Sequence, residues 1–142
     1  MNFDKDFLGN LLEQAVENPR LRQSFDLRTS SADSSQRILN ALLPGTVVPI
    51  HQHLKTSETV ICLYGKIDEV VYEKLDSEGK DSSFHEIQRI RLCPAEAKYG
   101  CQVPIGVWHT VEVIEPSVIF EAKDGAYAPI NNNDVWNAEK NR

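Results

Sequence analysis

The chain has 142 residues, with fifteen Lys and Arg against twenty-one Asp and Glu, a formal net charge of −6 and 41% hydrophobic residues. That length suits one domain with a real core, and the acidic balance lacks the basic footprint that nucleic acid or an anionic membrane demands. No apolar run approaches bilayer-spanning length, and the charged start Met1-Asn-Phe-Asp-Lys-Asp is unlike a secretory signal.

The first predicted element is a helix. Phe7, Leu8, Leu11, Leu12, Ala15 and Val16 recur at helical spacing, with Asp4 as its cap and Asn18-Pro19 as its stop. A polar, serine-rich stretch follows, and then the pattern switches to short strands at 37–43, 47–53, 58–64, 67–74, 84–92, 99–103, 108–114 and 118–123. Glycine, proline and acidic clusters separate them, and 76–79 (Asp-Ser-Glu-Gly) reads as a hairpin tip with Gly79 free for a left-handed φ. Many short strands with evenly spaced breaks mean an antiparallel sandwich or barrel. The chain thus divides, within one domain, into an N-terminal helix and lead-in over 1–30, a β-barrel over 31–130 and a polar tail over 131–142. In the tail, Trp136 could dock on the body or on a second subunit.

His51 and His53 project to the same side of a strand and can share an ion. A turn through 54–57 would bring the Glu58 carboxylate beside them, and His109, after Pro104-Ile-Gly106, opens another apolar strand as a fourth candidate. Imidazole nitrogens with a carboxylate suit one divalent ion among Fe, Mn, Ni, Zn and Co, in a shell with open positions. Alternation from Glu58 turns Val60, Cys62 and Tyr64 inward and Thr59, Ile61 and Leu63 outward. A strand apolar on both faces needs cover from the helix or a second subunit, which argues for a homodimer. Around His109 the inward set is Val107, Val111 and Val113, with Glu112 pointing away.

Gly45, His51-Gln-His53, Glu58 and Gly65 fit the first cupin motif without a gap, and Pro104, Gly106 and His109 fit the P-x-G-x-x-H of the second. Beyond the motifs the chain resembles the WbuC-type cupin fold metalloproteins, through Asn18-Pro-Arg-Leu-Arg22, Gln36-Arg-Ile-Leu-Asn-Ala-Leu42, Trp108-His-Thr-Val111, Phe120-Glu-Ala-Lys123 and Tyr127-Ala-Pro129. The resemblance implies a mainly β, cupin-type antiparallel jelly-roll barrel with a short N-terminal helix. It further implies a metal held by His51, His53, Glu58 and His109, and an association with bacterial surface-polysaccharide pathways. Three positions depart from the second motif: Lys98 where its leading Gly would sit, Val113 where Asn is expected, and Ile105 where small residues are common.

The remaining candidates are weighed against simpler roles. His85 lacks partners and reads as a solvated strand residue, while Cys62, Cys93 and Cys101, odd in number and without C-x-x-C spacing, fit reduced thiols in a cytoplasmic protein. Glu121 and Tyr64 are the inward groups that could move a proton. Arg20, Arg22 and Arg37, with Arg28, form the only basic concentration, a candidate anion clamp for a sugar phosphate or sugar nucleotide, and Lys123 could join it. The expected function is metal-dependent isomerase, epimerase or oxygenase chemistry on a small polar carbohydrate intermediate. The alternative is a non-catalytic, metal-assisted sugar-binding or sensing module.

Overall fold

The computed structural model describes residues 1–75 and 83–136. Helix α1 (Lys5–Glu17) begins where the Asp4 carboxylate accepts a hydrogen bond from the Phe7 amide at 2.9 Å. This satisfies one of the donors that the first helical turn leaves free. Eight strands follow: β1 (Arg22–Asp26), β2 (Ser35–Leu42), β3 (Ile50–His51), β4 (Glu58–Leu75), β5 (Ser83–Leu92), β6 (Gly100–Val103), β7 (Trp108–Asp124) and β8 (Val135–Trp136). All the pairings are antiparallel. The path β1-β2-β7-β3-β8 carries β4 on β7, and β4 in turn carries β5 and β6. Among the described residues the hydrogen bonding does not run round a closed ring, so the cupin-type jelly roll is an open one. No helix among the described residues is long and apolar enough to cross a membrane.

Two pairs of expected strands are single long ones. Predicted strands 58–64 and 67–74 join as β4, and 108–114 and 118–123 join as β7. The two pair along most of their length, from Glu58 opposite Lys123 to Tyr72 opposite Trp108, with register shifts between Cys62 and Ile67. Those shifts surround Gly65, whose φ is +92° and whose hydrogen faces the Pro116 carbonyl; a Cβ there would lie 2.2 Å from that oxygen. The backbone needs glycine both for its dihedral and for the close approach. Glu58 and the residue paired with His109, Val71, are thirteen positions apart on β4, roughly 43 Å if the strand ran straight. Yet Glu58 Oε2 lies 3.4 Å from His109 Nε2. The ladder is therefore folded back on itself, and that fold brings Glu58 and His109 together.

The core has two layers. Leu42, Val60, Cys62, Ile67, Leu92 and Ile119 fill the interior, flanked by Val111 and Val113. On the outer face α1 lays Leu11 and Ala15 against Leu39, Ala41 and Val118, with Phe25 and Phe120 packed alongside. The helix thus covers the outer face of β2 and β7 rather than that of Ile61 and Leu63 on β4, for which cover was expected. Two elements were not anticipated: β1 lies in the lead-in and β8 in the tail. Trp136 docks on the body, opposite Ile50 and with its ring 5.3 Å from that of Phe84. The expected hairpin tip at 76–79 lies outside the described residues.

Candidate metal centre

His51 on β3 and His109 on β7 are direct cross-strand partners, so their rings project to the same side of the sheet. His53 follows two residues after His51, and its carbonyl is pinned by the Gly106 amide at 2.8 Å. Gly106, with φ +76°, makes the turn that the second motif requires. Glu58, at the first position of β4, completes the group. One ligand atom from each of His51, His53, Glu58 and His109 lies within 4.8 Å of all the others.

The protonation pattern suits a cation. His51 Nδ1 lies 2.8 Å from the Pro49 carbonyl and His109 Nδ1 2.9 Å from the Val107 carbonyl. A carbonyl only accepts, so each Nδ1 carries the hydrogen and each Nε2 presents its lone pair inward. Burial, reinforced by the neighbouring His109, pulls His51 down to about 4, which keeps it neutral near pH 7. Burial would raise the Glu58 carboxyl, while His109 and His53, when an Nε2 carries a proton rather than facing a cation, and Lys123 hold it below its usual range. His53 Nε2 is 3.0 Å from Glu58 Oε2 but is buried without a hydrogen bond of proper geometry. Three imidazole nitrogens and a carboxylate oxygen, one nitrogen orphaned, fit a divalent ion by both donor type and convergence.

His51, Glu58 and His109 border a cavity of about 490 Å³. Glu121 lines it and accepts a hydrogen bond from Asn40 Nδ2 at 3.3 Å. Burial, with the nearby Glu58 carboxylate, pushes Glu121 up to about 7. Arg20, Arg22 and Lys123 line the same cavity and make no ion pair among the described residues. Arg37 does not line it: its guanidinium is engaged by Asp33 at 3.0 Å and by the Leu27 carbonyl. Arg28 is likewise held by Asp26 at 2.7 Å.

Tyr64 is 55% exposed and does not border the cavity. Simple alternation carried it inward from Glu58, but the register shifts between Cys62 and Ile67 interrupt that alternation before the tyrosine. Val60 and Cys62, ahead of the shifts, are buried as expected. Burial raises the Cys62 thiol to about 11 and that of Cys101 to about 12, so neither is a ready thiolate. Asn40 and Glu69 are cavity residues that the sequence did not single out. Asn40 looked like one polar residue in an apolar strand, and Glu69 gave no signal because its inward direction depends on which residue of β7 it faces.

Fold and site together amount to a cupin-type jelly roll with a His/Glu group able to hold a metal. The chain belongs to the family described as Domain of unknown function (DUF6016), whose model matches residues 3–83. Among solved structures it is similar to KdgF from Halomonas sp., at 16% identity and a TM-score of 0.56, over 78% of this chain and 84% of that one. CapF in complex with an inhibitor is similar at 18% identity and a TM-score of 0.54, over 80% of this chain and 31% of CapF. An oxalate oxidase in complex with the substrate analogue glycolate is similar at 13% identity and a TM-score of 0.53, over 79% of this chain and 55% of the oxidase. At these identities the likeness is one of fold. No curated protein matches the chain.

Proposed function

We propose that this protein is a metal-dependent enzyme acting on a small, anionic, hydroxyl-rich molecule, a carbohydrate intermediate of bacterial surface-polysaccharide synthesis. The observation that carries the reading is the Glu121 carboxyl, lifted to about 7, in the cavity bordered by His51, Glu58 and His109 of the four-residue group. A binding module needs only ligands and a wall, whereas an enzyme needs a group that exchanges a proton near neutral pH. A divalent ion of Fe, Mn, Ni, Zn or Co held by those four residues would supply Lewis acidity. In this reading Arg20, Arg22 and Lys123 bind the anionic group and hold the substrate across the cavity. Asn40 fixes one Glu121 oxygen, leaving Oε2 to take a proton from the substrate and return it. That arrangement suits isomerase or epimerase chemistry; oxygenase chemistry is the variant that an iron-loaded site would favour. The resemblance of Asn18–Arg22 and Phe120–Lys123 to WbuC-type proteins supports the carbohydrate context, since both segments supply cavity residues. The working form is a pair of chains.

Metal analysis of protein purified without added metal or chelator, beside the H51A/H53A variant, tests the reading. About one ion per chain is expected in the natural protein, with near-complete loss in a variant whose circular dichroism is unchanged. Equal metal in both proteins would refute the ligand set. With metal established, E121Q should abolish solvent-deuterium incorporation into sugar-acid and sugar-nucleotide substrates. Substrate bound by the natural protein without any turnover would instead favour the metal-assisted binding module.

A further inference from the structure

Among the described residues, Glu69 is the only carboxylate with both oxygens buried and without a hydrogen-bond partner, and the residue is 0% exposed. The register of β4 on β7 tells where it points. Glu69 faces Val111, and Val71 faces His109. Directly paired residues of an antiparallel ladder share a face, as do alternate residues of one strand. Glu69 therefore stands on the inner face that carries His109, one strand across and one residue pair along. It lines the cavity together with His51, Glu58 and Glu121. The inward positions beside it on β4 are Ile67 and Val71, so a branched apolar side chain would continue the wall. An unpartnered carboxyl is destabilising in that place, and buried polar groups in native structures almost always have a partner. A partner outside the protein is the economical explanation.

We propose that Glu69 is a further residue of the metal centre, its carboxyl being the hydrogen-bonding partner of water held in the cavity beside His109. The inference rests on the metal site described under the proposed function and adds a positioning residue to it. Burial, and then the facing Glu58 and Glu121 carboxylates, raise Glu69 well above the usual range. Residues that hydrogen-bond around a metal's own ligands commonly alter its affinity on the order of tenfold or more when replaced.

Two readouts without substrate test this: Mn2+ binding by calorimetry, and the melting temperature of the metal-free protein, for the natural chain and E69L. The expected result is weaker Mn2+ binding in E69L, on the order of tenfold, with a metal-free Tm that is unchanged or higher. Affinity within about twofold of the natural protein overturns the inference, since Glu69 would then only fill the wall. A lowered metal-free Tm overturns it too, because the carboxyl would then have a stabilising partner within the protein. Should E69L not fold, E69Q keeps the size of the side chain and is read by the same affinity criterion. If the natural chain takes up no Mn2+, the metal-centre reading itself falls; if only the variants are unaffected, this inference alone falls.

Discussion

Asp68 and Glu69 are consecutive on β4 and project to opposite sides of the wall. Glu69 turns into the cavity without a partner, while Asp68, 2% exposed, receives hydrogen bonds from Arg89 at 3.2 Å and from Arg91. Arg89 also bridges Glu86 and Glu112, so β4, β5 and β7 are tied on their outer face by one guanidinium. This is where Glu112 was expected, on the side away from His109. The Arg91 and Arg89 guanidiniums hold the Asp68 carboxyl below its ordinary 3.8, against the opposing effect of burial. A depressed carboxylate contributes stability above its unfolded pKa and loses it as the pH falls through the folded one. D68N should therefore cost about 1–3 kcal/mol at neutral pH. In paired urea titrations the gap to the natural protein should close as the pH drops below 3.8. A gap that is constant down to pH 2 would mean that shape, not charge, holds Arg89 and Arg91.

Between strands, the decisive element is the bend in the β4–β7 ladder. Glu58 begins β4 and His109 lies at the start of β7, at opposite ends of the pairing, and only the reversal near Gly65 and Pro116 places them in contact. Ser117, fully buried in the same bend, accepts from the Lys66 amide at 2.9 Å and donates to the Glu115 carbonyl at 2.7 Å. A side chain at position 65 would strike the backbone of Pro116 and Ser117, neither of which can swing aside. G65A should destabilise the protein by about 3 kcal/mol or more, combining the strained φ with the clash. It should also weaken metal uptake, because Glu58 would shift relative to His109. Urea unfolding and metal content measured on the same preparation check this. A G65A protein of natural stability would show that the bend is set elsewhere.

For the molecule as a whole, the helix covers only part of the outer surface. Beyond it Leu63 is 39% exposed, and Tyr99, whose carbonyl accepts from the Cys62 amide on the neighbouring strand, is 60% exposed. Leu63 on β4 marks the surface on which we place the contact between chains. The natural protein should elute in light-scattering chromatography at twice the chain mass, and L63D at the mass of one chain. Dimers in both would move the contact to another face; monomers in both would remove the pairing from the proposed function.

The His/Glu group able to hold a metal was legible because its chemistry is local. His51, His53 and Glu58 fall within eight residues, and His109 follows a proline–glycine turn whose spacing is its own signal. The capped helix was legible for the same reason, as was the inward direction of Val60, Cys62, Val111 and Val113, where alternation is unbroken. Tyr64 was misplaced and Arg37 was offered to the ligand because neither a bulge nor a salt bridge leaves a trace in periodicity. Glu69 was missed because its direction is a property of register with β7, forty residues away. The amino-acid sequence by itself determined which atoms can bind a metal and which stretches must be strands. Only the tertiary structure decided which of the charged residues share a cavity, because strand pairing and the fold at Gly65 set distances that no local pattern encodes.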